Sequence, residues 1–232
     1  MSHERGYGQF CPVAMAAEAL CTRWTVLILR ELLAGSTRFN ELRKGLPRMS
    51  PALLSKRLRE LEDIGVIVRR LDDSGANPEY HVTEAGRDLQ PVVMSMGVWG
   101  QRWLESQLSL KNLDPSLLMW DMRRNLDPAP LPPRRVTIQF LYPDARAGQQ
   151  EWWLIVDGDG VDLCSVEPGY EVDLHVTCDV RTMTAIWMGI SSVRQAVADH
   201  RLDLDGDRTV SRHMQEWLGL SPFAKERKRV DP

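Results

Sequence analysis

No stretch of 18 or more apolar residues occurs in this 232-residue chain, and Met1 to Phe10 is polar, with no apolar run able to serve as a signal-peptide core. A cytoplasmic protein with no membrane partner is expected. The four cysteines, Cys11, Cys21, Cys164 and Cys178, lack the short paired spacings of zinc or redox motifs, and a reducing compartment leaves them as thiols. Neither a structural metal nor a disulfide framework is expected. Catalytic signatures are missing too: there is no phosphate-binding loop, dinucleotide glycine pattern or nucleophile elbow, and the five histidines are scattered. The chain is expected to be no enzyme and to use no cofactor.

What is present is a globular composition, 43% hydrophobic and 26% charged, at a length that suits two modest domains. The net charge of −3 hides an asymmetry. Residues 23–70 hold 11 Lys and Arg against 5 Asp and Glu, whereas residues 71–220 hold 13 against 23. A basic island in an acidic chain points to a polyanion-binding face.

Hydrophobic periodicity orders that island. Residues 12–20 begin with Pro and continue with strong helix formers, and 23–34 repeat apolar residues at helical spacing before Gly35. Residues 38–44 form a third short helix, ended by Gly45, Leu46 and Pro47. Ser50 is a good N-cap, Pro51 fits the first turn, and Leu54, Leu58 and Leu61 make one narrow apolar seam. After Gly65 the pattern turns to β: residues 66–70, a polar tip and 80–82 predict a hairpin. Thr83 caps a further helix running to Trp103, whose long apolar face requires a partner.

A helix at 114–125 and a Pro-dense stretch at 127–133 follow, the latter taken as a linker. The expected division is 1–106, a helical and Pro-rich linker at 107–133, and 134–232. The last part reads as strands at 136–141, 151–156, 161–166 and 172–178, helices at 182–188 and 192–200, a strand at 202–204 and a helix near 208–218, an α+β unit.

Three short helices with a tight turn between the last two, then a basic hairpin, describe a winged helix-turn-helix whose second motif helix enters the DNA major groove. With the leucine seam packed inward, Ser50, Ala52, Ser55, Lys56 and Arg59 face the bases of double-stranded DNA. Arg57 lies beside the seam and is assigned to a phosphate or an intradomain carboxylate. Arg38, Arg43 and Lys44 on the preceding helix and Arg69 and Arg70 at the wing base are expected phosphate contacts. The helix at 14–20 and the face of Met96, Trp99 and Trp103 are expected to make a homodimer.

The runs CPV at 11–13, RW at 23–24, RFNEL at 38–42, LPRMSPALLSKRLRELEDIGVI at 46–67 and EYHVTEAGRDLQPVV at 79–93 resemble HxlR-type regulators over about 95 residues. That resemblance implies a dimeric DNA-binding transcriptional regulator, with repression the expected mode. The chain departs at Cys21-Thr22, where the family commonly has a Gly-rich pair. Redox-sensing members use a cysteine at the position of Cys11, which sits before Pro12 at a helix N-terminus, where free amides favour a thiolate; a plain cap or a packed thiol is the alternative. The remaining three cysteines read as small core residues.

The run 173–189 followed by 191–207 resembles a sterol-carrier-protein type 2 domain. This implies an apolar cavity and a hydrophobic small-molecule effector, with Trp152, Met183, Trp187, Met188 and Trp217 as candidate lining and ordinary core packing as the alternative. Besides a ligand-responsive regulator, two functions stay open: a redox regulator acting through Cys11, and a carrier of hydrophobic ligands.

Overall fold

The computed structural model describes residues 6–104, 113–158 and 160–229. Its first unit is Met1–Met96. Pro12 opens α1, Pro12–Leu20, where its missing N–H leaves no partner unsatisfied. The chain then reaches α2, Thr25–Leu33, through Trp24, whose φ of 80° places a bulky residue in the left-handed region. Such a backbone costs about 1–3 kcal/mol and persists only where neighbours hold it. Here the Arg23 guanidinium lies 5.5 Å from the Trp24 ring centre, and the Thr22 and Thr25 hydroxyls are 2.6 Å apart. The turn falls directly after Cys21-Thr22, the pair that departs from the family pattern.

Two further helices follow, α3 at Phe39–Gly45 and α4 at Pro51–Asp63, the latter capped by Ser50 Oγ, which accepts the Leu53 N–H at 3.3 Å. Leu54, Leu58 and Leu61 of α4 share one buried core with Ile28, Leu29 and Leu32 of α2, together with Leu42, Leu46, Met49, Val66 and Ile67. Each leucine removed from water contributes about 1.5–3 kcal/mol. One charge lies in this apolar setting: Glu31, fully buried, accepts from Arg30 Nη2 at 2.6 Å, and the same nitrogen donates to the Gly45 carbonyl at 3.2 Å. The carboxylate occupies the space a side chain at Gly45 would need, since a Cβ there would stand 1.9 Å from Glu31 Oε2.

The hairpin pairs β1, Ile67–Leu71, with β2, Pro78–Val82, antiparallel, Ile67 opposite Val82 and Leu71 opposite Pro78. Thr83 caps the next helix, accepting from Gly86 N. The single helix expected from there to Trp103 is two, α5 at Glu84–Asp88 and α6 at Gln90–Trp103. Pro91 explains the break: its ring opposes the carbonyl four residues back, and it has no N–H to continue the ladder.

The second unit is Gly97–Pro232. The boundary therefore falls inside α6, whereas the expected boundary at 106 lies outside the described residues. The described part of the expected linker is no spacer. Helix α7, Pro115–Asn125, capped by Asp114, buries Leu118, Met119 and Met122 in the core of this unit, and Leu126 and Leu131 follow them in. Asp127 N donates to the Trp217 carbonyl at 2.9 Å, fixing the start of the Pro-dense stretch to the end of the fold.

A five-stranded sheet forms the rest, with β3 at Val136–Leu141, β4 at Glu151–Asp157, β5 at Gly160–Cys164, β6 at Leu174–Cys178 and β7 at Leu202–Gly206. The order is β5-β4-β3-β6-β7, and only β3 with β6 is parallel. Alternate residues Ile138, Phe140, Leu154, Leu174 and Val176 give one face to the core. On that face pack α8 at Val180–Trp187, α9 at Val193–Ala198, α10 at Arg208–Arg212 and α11 at Met214–Trp217, the last two replacing the one helix expected near 208–218. This is an α+β layer architecture. Among the described residues no single helix is long and apolar enough to cross a membrane.

Gly45→Ala must push the buried Glu31 carboxylate away from its partners. The expected result is a loss of about 1–3 kcal/mol from the N-terminal unit, the usual range for overpacking. Thermal unfolding followed by circular dichroism measures it, and a variant as stable as the parent overturns the reading.

Candidate nucleic-acid interface

Burying one stripe of α4 turns its opposite side outward. Ala52, Lys56 and Arg59 are exposed and Ser55 half-buried, so these side chains assigned to base contact share one solvent-facing strip, while Ser50, also exposed, is the N-cap residue at the helix start. Lys56 Nζ stands 3.9 Å from Glu60 Oε1, a loose i,i+4 pair that leaves the ammonium largely in water. Arg59 is exposed and makes no ion pair with another described residue.

Arg57 behaves differently. Its side chain is only 17% exposed, donates through Nη1 to Glu60 and through Nε to the Arg23 carbonyl at 3.3 Å. Of the two roles expected for it, the intradomain carboxylate is the one in place. It ties α4 to the left-handed turn before α2 and does not share the outward strip.

Arg43 and Lys44 lie exposed in the last turn of α3, and Arg69 and Arg70 lie exposed on β1. Arg38 was expected on the helix and is instead its N-cap residue, with Glu41 accepting from the backbone N–H of Thr37 and Arg38 at 3.0 and 3.1 Å. The Arg38 guanidinium reaches across to β2, where Nε donates to Glu79 Oε1 at 3.2 Å, with Asp72 3.8 Å away. Glu79 Oε2 in turn lies 3.1 Å from His81 Nε2, and Tyr80 N donates to the Thr37 carbonyl at 2.8 Å. The wing is thus pinned to the start of α3 by backbone and side chain together. Arg48, exposed in the turn between α3 and α4, was not among the residues singled out from sequence. Its position beside Ser50 was the signal that could have found it.

At the wing tip a single carboxylate gathers the loop. Asp72 accepts from Ser74 Oγ at 2.6 Å, Asn77 Nδ2 at 2.9 Å, and the backbone N–H of Ala76 and Asn77 at 3.2 Å each. The Ser74 hydroxyl and the Asn77 donors hold its carboxyl well below the usual carboxylate range.

The residues expected to line an apolar cavity lie in or against one apolar cluster of the second unit. Met183 and Trp217 are fully buried, Trp152 and Trp187 nearly so, and Met188 packs at the margin of the same apolar cluster. The Trp217 indole N–H donates to the Val210 carbonyl at 2.7 Å, so it is a satisfied core tryptophan. Cys11 is the N-cap residue of α1 and half-buried, and the amides of Ala14 and Val13 lower its thiol from the ordinary value. The expectation that the other three cysteines are core residues holds for Cys178, whose thiol burial pushes up. It fails for Cys21, exposed at the end of α1 because that helix buries none of its residues, while Cys164 is half-buried. Among the described residues no group of three or more His, Cys, Asp or Glu is placed to hold a metal ion.

A family model described as HxlR-like helix-turn-helix matches residues 19–108, the segment that holds α2 to α4, the wing and α6. A curated relative, the HTH-type transcriptional regulator sll1512 of Synechocystis sp., is 38% identical over 101 residues, 43% of this chain and 75% of the relative. The chain belongs to the HxlR-like helix-turn-helix family. Another HTH-type transcriptional regulator, YdeP of Bacillus subtilis, is 38% identical over 94 residues, 40% of this chain and 73% of its own. The solved structure of the reduced transcriptional regulator YodB from B. subtilis is 34% identical, covering 40% of this chain and 93% of that one, with a TM-score of 0.36. Family membership concerns the N-terminal segment, and the relatives carry the names of HTH-type transcriptional regulators.

The Asp72 knot has a pH signature. A carboxyl whose folded value is depressed stabilises the folded loop above its unfolded value and loses that contribution as pH falls through the folded one. The amide NMR signals of Ala76 and Asn77 should therefore stay unmoved down to about pH 3.9, the ordinary aspartate value, and shift only below it. A midpoint at the ordinary value would overturn the knot.

Proposed function

We propose that the chain is a sequence-specific regulator of transcription that binds double-stranded DNA as a homodimer, with α4 in the major groove and repression as its output. The observation that carries this is the outward strip of Ala52, Ser55, Lys56 and Arg59 on a helix capped by Ser50 whose other side is a buried leucine seam, within the segment shared with the family. Hydroxyl, ammonium and guanidinium groups on such a strip match base-edge acceptors. Arg43, Lys44, Arg69 and Arg70 supply the phosphate contacts, and Arg38 joins them only by leaving Glu79.

Two apolar surfaces support the homodimer. Helix α1 buries none of its residues, with Val13 76% and Met15 60% exposed. On α6, Val92, Met96, Trp99 and Trp103 recur at i, i+4, i+7 and i+11, all exposed. Contiguous exposed apolar surface of this kind marks an interaction site. A two-fold pair then places two copies of α4 about 34–36 Å apart, on half-sites one helical turn apart. Light scattering at micromolar concentration should give twice the chain mass, and a monomer would defeat the reading.

Lys56→Ala or Arg59→Ala should weaken binding to a selected operator by about 1–3 kcal/mol and relax base preference. Arg70→Ala should weaken all sequences alike and lower the salt slope by about 1. Arg57→Ala should lower stability while leaving base preference intact. Operator titrations at several salt concentrations decide, and α4 variants that bind like the parent would remove α4 from the interface.

A second reading is favoured by the cap of α1. A thiol held below its ordinary value by helix N-terminal amides reacts faster with oxidants, because the thiolate is the nucleophile. Mild peroxide or quinone should then lower operator affinity of the parent while Cys11→Ser resists; equal responses would leave Cys11 a cap. A hydrophobic effector in the second unit, or a carrier role there, would be held among the buried residues around Met183 and Trp217. As a modulator it would also have to bind the DNA-competent and incompetent states unequally.

A further inference from the structure

Residues 221–229 run along the last turns of α6 and hold them at five points. The segment starts from the end of α8, where Ser221 N donates to the Trp187 carbonyl at 3.0 Å and Ala224 closes on Gly189, so that a Cβ at Gly189 would stand 2.9 Å from the Ala224 methyl. The Phe223 ring then fills the space left by the missing side chain of Gly97, 2.2 Å from where a Cβ would be. Arg102 donates through Nε and Nη2 to Glu226 Oε2 at 2.8 and 2.5 Å. Arg229 N donates to the Arg102 carbonyl at 2.8 Å, and Lys228 Nζ to the Leu104 carbonyl at 2.5 Å. The Arg229 guanidinium lies 5.9 Å from the Trp103 ring centre.

These contacts answer a specific need. The last carbonyls of a helix have no intrahelical partner, and α6 ends without a glycine cap or a following proline. The segment supplies the donors, one from its backbone and one from an ammonium. Its ring needs a glycine at position 97, on a helix interior where glycine costs about 1 kcal/mol against alanine. The exposed row Met96, Trp99 and Trp103 is left open by this docking.

We infer that residues 221–229 are a strap that caps and clamps the C-terminal turns of α6, and that its engagement sets how well the apolar row of α6 pairs with a second copy. The second clause rests on the homodimer proposed above; the first does not. Straightness of the last turns fixes where Trp99 and Trp103 point. Release of the strap frees the Arg102 and Leu104 carbonyls, frays those turns and spoils the row without removing one residue of it.

The test uses the full chain with hydrogen exchange of the peptide spanning 97–104, read beside dimer dissociation by analytical ultracentrifugation and operator titration. Phe223→Ala combined with Glu226→Arg should speed exchange in 97–104 by about tenfold or more, as for a turn moved from a protected to a frayed state. Dimer and operator binding should weaken at least several-fold. Glu226→Arg alone serves if the double variant does not fold, and pairing it with Arg102→Glu should restore slow exchange. Unchanged exchange in the folded variants would overturn the strap. Faster exchange with unaltered dimer dissociation would overturn its influence on pairing. Failure of the parent itself to bind any operator would count against the DNA reading alone, since exchange and dimer dissociation still judge the strap.

Discussion

Every feature of the proposed interface depends on the packing of one leucine seam. Leu54, Leu58 and Leu61 occupy the one fully buried stripe of α4, and seating that stripe in the apolar core that holds Ile28, Leu29 and Leu32 fixes the rotation of the helix about its own axis. A turn of 100° per residue then leaves no choice about the rest: Ala52, Lys56 and Arg59 face water, and Arg57 falls at the edge, where it finds Glu60 and the Arg23 carbonyl. In the proposed reading, specificity for bases is a by-product of apolar burial, because the seam decides which side chains are presented. The buried Glu31 beneath Gly45 adds the second coordinate, the height of the turn that delivers Ser50 to the helix start.

Much of this was legible in the residues. The seam spacing, the Ser50 cap, the Thr83 cap and the hairpin between Gly65 and Thr83 depend on neighbours a few positions away, and local pattern reports local partners well. The strand at 136–141 was readable for the same reason. What escaped depends on distance along the chain. Arg38 meets Glu79 forty-one residues on, and nothing in its own surroundings announces that pairing. The stretch 113–133 reads as a spacer because prolines are stiff and donate no hydrogen bonds, yet Leu118, Met119, Met122 and Leu131 are core residues of a sheet that begins after them. Cys21 reads as a small core residue by type and is exposed at the end of a helix, α1, none of whose residues is fully buried. Tryptophan and methionine abundance in the second unit suits a cavity lining and a filled core equally, and composition does not separate the two.

The two units meet the cost of small size differently. The N-terminal unit keeps its apolar residues in one cluster and leaves every residue of α1 short of full burial, with Leu20 alone among them packed against that cluster. The second unit buries a continuous core of sheet, helices and the former linker. Its charge is spent on short pairs at strand ends, such as Arg134 with Asp173 and Arg135 with Asp157. These exposed pairs fix geometry more than they add stability.

The bond from Asp127 N to the Trp217 carbonyl has a consequence in time. During synthesis the segment 113–133 emerges early, but its partners in α11 come some ninety residues later, and the central strand β3 must wait for β6 before it has a neighbour on both sides. The helices and wing of the first unit, by contrast, draw their longest pairings from about forty residues back, as Arg38 with Glu79 and Tyr80 with Thr37, all of it within chain already made, and shorter-range pairing is faster. One half of the molecule can therefore be finished while the other is still an open chain carrying Leu118, Met119 and Trp120 in water. Chaperone demand during biosynthesis should fall on that second half.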